Sequence, residues 1–401
     1  MSELHPRAVN AVSATEMNRR WRACRDRMRA EGLQALVVQN SSDWVGGHVR
    51  WFSNQPAHNG YPTTLVFHLE EGMSLIEQGP FGGRRVAAPD ELQRTGIERR
   101  FTTPSYPSVA YSAGYDAEIA LAELRRMGAR RVGMVAPAGW YHGFGAALRQ
   151  GLAEAPACQL VDATDWVDAI KAIKSEEERA CMRQVAAMQD EVMSRMAAFI
   201  EPGLKDFEIA AHAQYLGQRL GSEQGVFLCS SAPPGQAASF RGRSMQGRTL
   251  QGGDVFSLLI ENNGAGGYYT ELSRIFVLGE ASAELRQAHE RVLDAQRYAL
   301  TLLKPGARCA DVHEQHNAWL RQHGMAEERR LSIHGMGYDM VERPLVRHDE
   351  PMTIEEHMAI VVHPGILDER MFVHNTEVYL IEADGPGESL HRTPRRIVEL
   401  G

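Results

Sequence analysis

Hydrophobic and polar positions fall into two regimes along this 401-residue chain. In the first, stretches of helical and strand period alternate. Apolar residues recur at helical spacing over residues 15–31, and Gly32 marks the stop. Ala35-Leu36-Val37-Val38-Gln39 then reads as a strand. Strands are predicted at 63–68 and, paired with it, 73–77. A helix over 117–127, a strand over 131–135 and a helix over 143–153 complete an α/β domain that ends near Val161. Past Asp165-Trp166-Val167, a charged segment runs into a long amphipathic pattern through Met196, and Ser175 with Glu178 forms a capping box. Helices are predicted at about 206–220, 281–302 and 310–323, followed by paired strands. Helices first and hairpins later predict an α+β domain, its helices packed on one curved antiparallel sheet. The boundary is placed at 165, giving domains 1–165 and 166–401. No internal repeat or low-complexity segment interrupts them.

The paired strands carry the candidate chemistry. Glu261 ends the apolar run Val255-Phe256-Ser257-Leu258-Leu259-Ile260, and Glu271 ends Tyr268-Tyr269-Thr270. Turn residues lie between them, and a turn centred on Gly266 sets the two glutamates opposite each other. His363 ends Met358-Ala359-Ile360-Val361-Val362, and His374 ends Met371-Phe372-Val373, so a second hairpin with two opposed imidazoles is predicted. Carboxylate and imidazole pairs on facing strands are what a divalent metal site needs. Together with His334 they make a candidate set of two glutamates and three histidines.

Composition changes this picture only by exclusion. Apolar residues make up 43% and charged residues 23%, ordinary for a globular protein, and the net charge of −8 gives no reason to expect nucleic acid or an anionic membrane. Five scattered cysteines without a CxxC pair suggest reduced thiols and a cytoplasmic protein. The chain start lacks a signal-peptide core, no apolar run reaches membrane-spanning length, and no nucleotide cofactor is expected.

Several segments resemble one family. Gly253-Asp254-Val255 together with Gly267-Tyr268-Tyr269-Thr270-Glu271-Leu272-Ser273-Arg274-Ile275-Phe276 resembles the strand pair of the creatinase, prolidase and methionine-aminopeptidase superfamily. Leu303-Lys304-Pro305-Gly306-Ala307-Arg308-Cys309 is similar to the creatinase version, and His334-Gly335-Met336-Gly337 to the metal-binding His-Gly-x-Gly. Val361-Val362-His363-Pro364-Gly365 stands where the family has Ile-Glu-Pro-Gly, and Ile170-Lys171-Ala172-Ile173-Lys174-Ser175 is similar to its linker. The resemblance implies a "pita-bread" catalytic domain behind a smaller α/β domain.

The resemblance also exposes departures. The family's metalloenzymes hold two ions with two Asp, one His and two Glu. Here Glu271 matches the second Asp and His334 the His, while His363 and His374 stand at the two Glu positions. The strand pair is one residue longer than in prolidase, so Leu259 or Ile260 falls at the first Asp position. Glu261, ten residues before Glu271, is the nearest carboxylate, and dimethylsulfoniopropionate lyases of the superfamily carry a ligand at that offset. Two glutamates and three neutral imidazoles balance one divalent ion, and imidazole-rich ligation suits Fe, Zn, Mn or Ni. Two family histidines are replaced, at Gly242 and at Val341, which argues against ordinary dipeptide cleavage. By resemblance, Glu342 is the candidate general base, Arg241 and Arg243 are candidate anion clamps, and Arg343 a further contact. His48, Arg50, Trp51 and His58, in a polar and aromatic segment, are candidate substrate contacts that in a creatinase-like homodimer would act across the subunit boundary. The leading expectation is a metal-dependent C–N hydrolase acting on a small polar non-peptide metabolite. A metal-assisted lyase, a non-haem-iron redox enzyme, an Xaa-Pro peptidase and a metal-free binding protein are the alternatives.

Overall fold

A computed structural model describes residues 11–40, 47–56, 60–154 and 158–401 of the chain. It divides into two units, Ala11–Lys171 and Ala172–Gly401. The division lies a helix beyond the expected 165. The helix Thr164–Ala172 belongs almost wholly to the first unit, where its Asp168 Oδ1 lies 2.9 Å from His48 Nε2.

In the first unit the strand Ala35–Asn40 is buried along its whole length. It pairs in parallel with Arg131–Val135 and antiparallel with Thr63–His68, inside a seven-stranded sheet. The helix Ala14–Glu31 starts where Ser13 Oγ accepts from Glu16 N (3.1 Å) and stops at Gly32, whose φ of 67° is the left-handed conformation that favours glycine. The strands Gly83–Val86 and Ile97–Thr103 and the helix Pro89–Thr95 have no counterpart in the sequence reading. Arginines hide their alternation: Arg99 pairs with Glu71 and Glu123, and Arg100 with Glu77 and Glu91, so charged side chains occupy sheet positions where apolar ones are expected.

The second unit opens on the predicted capping box: Ser175 Oγ accepts from Glu178 N, and Glu178 Oε2 accepts from Ser175 N. The helix that follows, Glu176–Phe199, packs against a four-stranded sheet containing Gly225–Ala232, Val255–Asn263 and Tyr269–Val277. A five-stranded sheet holds Ile333–Gly335, Glu342–Leu345, Ala359–Val362, Glu377–Glu382 and Gly385–Ser389. In place of one continuous sheet, the described residues form these two, joined by the bridge between Ser273 and Thr376. A buried ion pair reinforces the tie, with Arg274 Nη2 donating to Glu377 Oε1 at 2.5 Å. The helices Ala283–Leu302 and Cys309–Gln322 cover the second sheet through an apolar core that includes Ala299, Val312, Ile360 and Val362. Among the described residues no helix is long and apolar enough to cross a membrane.

Candidate metal centre

The hairpin between Val255–Asn263 and Tyr269–Val277 sets Glu261 directly opposite Glu271. Its turn passes through Gly266 (φ 63°) and Gly267 (φ 86°), where a side chain would be strained. Gln189 of the long helix locks the register from behind. Its Nε2 donates to Asn262 Oδ1 (2.8 Å) and Thr270 O (2.6 Å), and its Oε1 accepts from Thr270 Oγ1 (2.8 Å). Both glutamates are consequently fixed in a buried wall.

The second hairpin differs from the one expected. Pro364 breaks the strand after Val362, and a separate two-stranded ribbon begins, Gly365–Leu367 against Phe372–His374. Gly365, not His363, therefore faces His374 across the ribbon. The two imidazoles still meet, with ring centres 5.3 Å apart. His334, on the strand Ile333–Gly335 next to Ala359–Val362, completes the group: its Nε2 is 3.2 Å from His363 Nε2. Ligand atoms of Glu271, His334 and His363 all lie within 4.8 Å of one another, whereas Glu261 and His374 stand outside that mutual distance.

Hydrogen bonding shows which nitrogens are bare. His334 Nδ1 lies 2.9 Å from Gly335 O. A carbonyl only accepts, so Nδ1 carries the hydrogen and Nε2 the lone pair. His374 Nδ1 is 2.9 Å from Ser273 Oγ, which donates to Thr376 Oγ1 (3.0 Å), and Thr376 in turn bonds the Glu271 carboxyl. A carboxylate that binds a metal is ionised and only accepts, so with Glu271 as a ligand the chain is ordered from His374 Nδ1–H outward and leaves His374 Nε2 bare. Two nitrogens bound at about 2.0–2.1 Å to one tetrahedral ion lie about 3.3 Å apart, close to the observed separation of the His334 and His363 Nε2 atoms. His363 Nδ1 is buried without a hydrogen-bond partner.

Electrostatics point the same way. Burial pushes the Glu271 carboxyl up to about 8, while Thr376 and Arg330 pull against the rise. Burial, and then the charge of Glu271, raise Glu261 well above the carboxylate range. Burial lowers His334 to about 4 and His374 to about 3, the latter with help from Arg330. It also drives His363 well below its usual value, with His374, His334 and Arg330 adding to the effect. Three imidazoles are thus held neutral, the form that binds metal, beside two carboxyls raised by burial. The donor set fits a divalent transition ion.

The remaining candidates are not members of that trio. Arg241 and Arg243 are exposed, and Arg243 donates to Gln214 (2.8 Å); neither joins the cluster. Glu342 is buried and accepts from Lys174 Nζ (2.8 Å), Tyr338 N (2.6 Å) and Asp339 N (3.2 Å). A Cβ on Gly337 would come within 2.6 Å of that carboxylate, which explains the second glycine of His334-Gly335-Met336-Gly337. Arg343 is forked onto Glu350. Trp51 is core of the first unit, 1% exposed with Arg20 over its ring, and Arg50 is buried there. His48 is buried against Asp168. His58 lies outside the described residues. The sequence reading missed Ser273 and Thr376, which orient His374, as well as Phe240, whose ring centre is 5.1 Å from that of His374, and Arg330. Strand alternation could have flagged Ser273, two residues after Glu271 on the same face; nothing local marks the others.

Residues 180–384, just over half of the chain, match metallopeptidase family M24, and the chain belongs to that family. It is thereby an enzyme of the creatinase, prolidase and methionine-aminopeptidase superfamily, whose M24 members use divalent metals. A probable dipeptidase PepE of Mycobacterium tuberculosis is 25% identical over 248 residues, 62% of this chain and 66% of that protein. An uncharacterized hydrolase/peptidase of Sinorhizobium fredii is 25% identical over 396 residues, 95% of this chain and 96% of the other. Among solved structures, an X-Pro aminopeptidase of Thermotoga maritima shares the fold at a TM-score of 0.76 with 18% identity, covering 94% of this chain and 99% of its own.

Proposed function

We propose that the protein is a single-metal hydrolase that cleaves a C–N bond in a small polar metabolite other than a peptide. The observation that carries this reading is the cluster itself: Glu271, His334 and His363 within 4.8 Å of one another. The positions where the family's peptidases place two further histidines hold Gly242 and Val341, both exposed. Glu271, His334 and His363 would hold a divalent ion, with the His374 imidazole beside them. Such an ion would supply Lewis acidity toward a substrate carbonyl and toward water.

The protein's own groups manage orientation and protons. Ser273 and Thr376 keep the His374 ring turned with Nδ1 away from the centre. Glu342, with both oxygens already accepting from Lys174, Tyr338 and Asp339, anchors the turn after His334 instead of acting as the general base. Glu261 takes the proton-handling role: its carboxyl faces Glu271, lies outside the ligand trio, and keeps its proton when buried beside a second carboxyl. The same opposed pair of glutamates favours elimination as the second reading, by the resemblance of the longer hairpin to the lyases.

The test is metal content and turnover in parallel. Purified protein is expected to hold one transition ion per chain by elemental analysis. Glu271→Gln and His363→Ala are expected to lose it, and Glu261→Gln to keep it while kcat collapses. Loss of metal in Glu261→Gln would make Glu261 a ligand, and a metal-free wild type would overturn the reading. Incorporation of solvent oxygen into product separates hydrolysis from elimination.

A further inference from the structure

We propose that Arg330 clamps a carboxylate of the substrate at the edge of the metal centre, with Phe240 and Phe372 as the apolar wall beside it. The substrate is then a small carboxylic acid with an apolar group near its scissile bond. This deepens the hydrolase reading and rests on it.

The placement is geometric. A Cβ on Gly365 would sit 3.3 Å from Arg330 Nη2 and 3.5 Å from His374 Cδ2, so the guanidinium and the imidazole both border one glycine. The absence of a side chain at Gly365 leaves room for both. The guanidinium is also held in place. Glu328 accepts from Arg330 Nε (3.0 Å), Nη2 (2.6 Å) and the Arg330 amide (2.9 Å). Glu328 is itself fixed by two backbone hydrogen bonds to Asn317. The pair with Glu328 uses one edge of the fork. Nη1 donates to no described residue, and the Arg330 side chain is 45% exposed, so the outer edge faces solvent. Glu328 cancels the net charge of Arg330 but not the direction of its remaining N–H groups, which is what bidentate carboxylate recognition uses.

The wall lies at the same imidazole. Phe240 is half-buried, with its ring centre 5.1 Å from that of His374 and 4.9 Å from that of Phe372. Phe372 stacks on His374 at 5.7 Å with planes 17° apart. A ligand lying over His374 therefore meets an aromatic edge on one side and guanidinium donors on another. Arg241 and Arg243, the clamps expected from sequence, have no such relation to the cluster.

Phenylacetate is the probe, with phenylacetamide as its neutral counterpart, and binding to the metal-loaded protein is measured by calorimetry. Wild type is expected to prefer the carboxylate. Arg330→Gln is expected to weaken phenylacetate by about 10- to 100-fold while leaving phenylacetamide unchanged. Arg330→Lys, which keeps the charge and the Glu328 pair, should recover part of the loss, and Phe240→Ala should weaken both probes. Metal content is recorded for every variant: a metal-free wild type refutes the hydrolase reading, whereas Arg330→Gln with full metal and unchanged phenylacetate affinity overturns the clamp alone. No preference of wild type for the carboxylate over the amide also overturns it.

Discussion

At the scale of single residues, the centre depends on side chains that never touch the ion. The hydrogen-bond chain from His374 through Ser273 and Thr376 to Glu271 fixes one imidazole tautomer and one carboxylate orientation together. Partners of this kind tune metal affinity by about 10- to 100-fold. Ser273→Ala and Thr376→Val are therefore each expected to weaken metal binding in that range without unfolding the protein, as measured by competition with a chelator of known affinity. An unchanged affinity in both would show that His374 is not part of the ligand set. Glu261, Glu271, His363 and His374 were legible as candidates because each ends or interrupts a strand-like run, and His334 because His334-Gly335-Met336-Gly337 resembles the family's metal-binding motif. Arg330 and Phe240 were not, because an exposed arginine and an aromatic in a loop look the same in sequence wherever the chain folds them.

At the scale of elements, two devices can be tested. Gln189 satisfies Asn262 Oδ1 and the Thr270 carbonyl from a helix far away in sequence. Gln189→Leu would leave these buried groups unpaired and is expected to destabilise the protein by about 2–3 kcal/mol, read from urea unfolding. In the first unit, burial and then Arg99 lower His68 to about 4 from an ordinary 6.5. The unfolded chain then takes up a proton below about 6.5 that the folded one refuses until about 4. Its contribution is complete above pH 6.5 and is lost as pH falls toward 4, by up to about 3 kcal/mol. His68→Gln should flatten that slope in a pH series of unfolding midpoints; an unchanged slope would assign it to other groups. The helix Ala14–Glu31 and the hairpin through Gly266 were readable from caps and turn residues. The arginine-bearing strand Ile97–Thr103 was not, since its glutamate partners come from other segments.

For the molecule as a whole, the ordinary family activity is the relevant comparison. With Gly242 and Val341 at the positions of two family histidines, one orienting the peptide and one handling protons, negligible cleavage of Xaa-Pro dipeptides is expected with added Mn, Co or Zn. Measurable cleavage that disappears in Glu271→Ala would restore the peptidase reading. The sequence by itself determined the family, the residue types available to the centre, and the order of elements outside residues 83–103. These follow from local periodicity, caps and motifs, which neighbouring residues encode. Only the tertiary structure decided which of the candidates meet. It joined Glu271, His334 and His363, committed Glu342 to Lys174, left Arg241 and Arg243 in solvent, and brought Arg330 and Phe240 to His374. Convergence of that kind is a property of sheet register and of where Pro364 bends the chain. It depends on long-range packing, to which no single stretch of sequence holds the key.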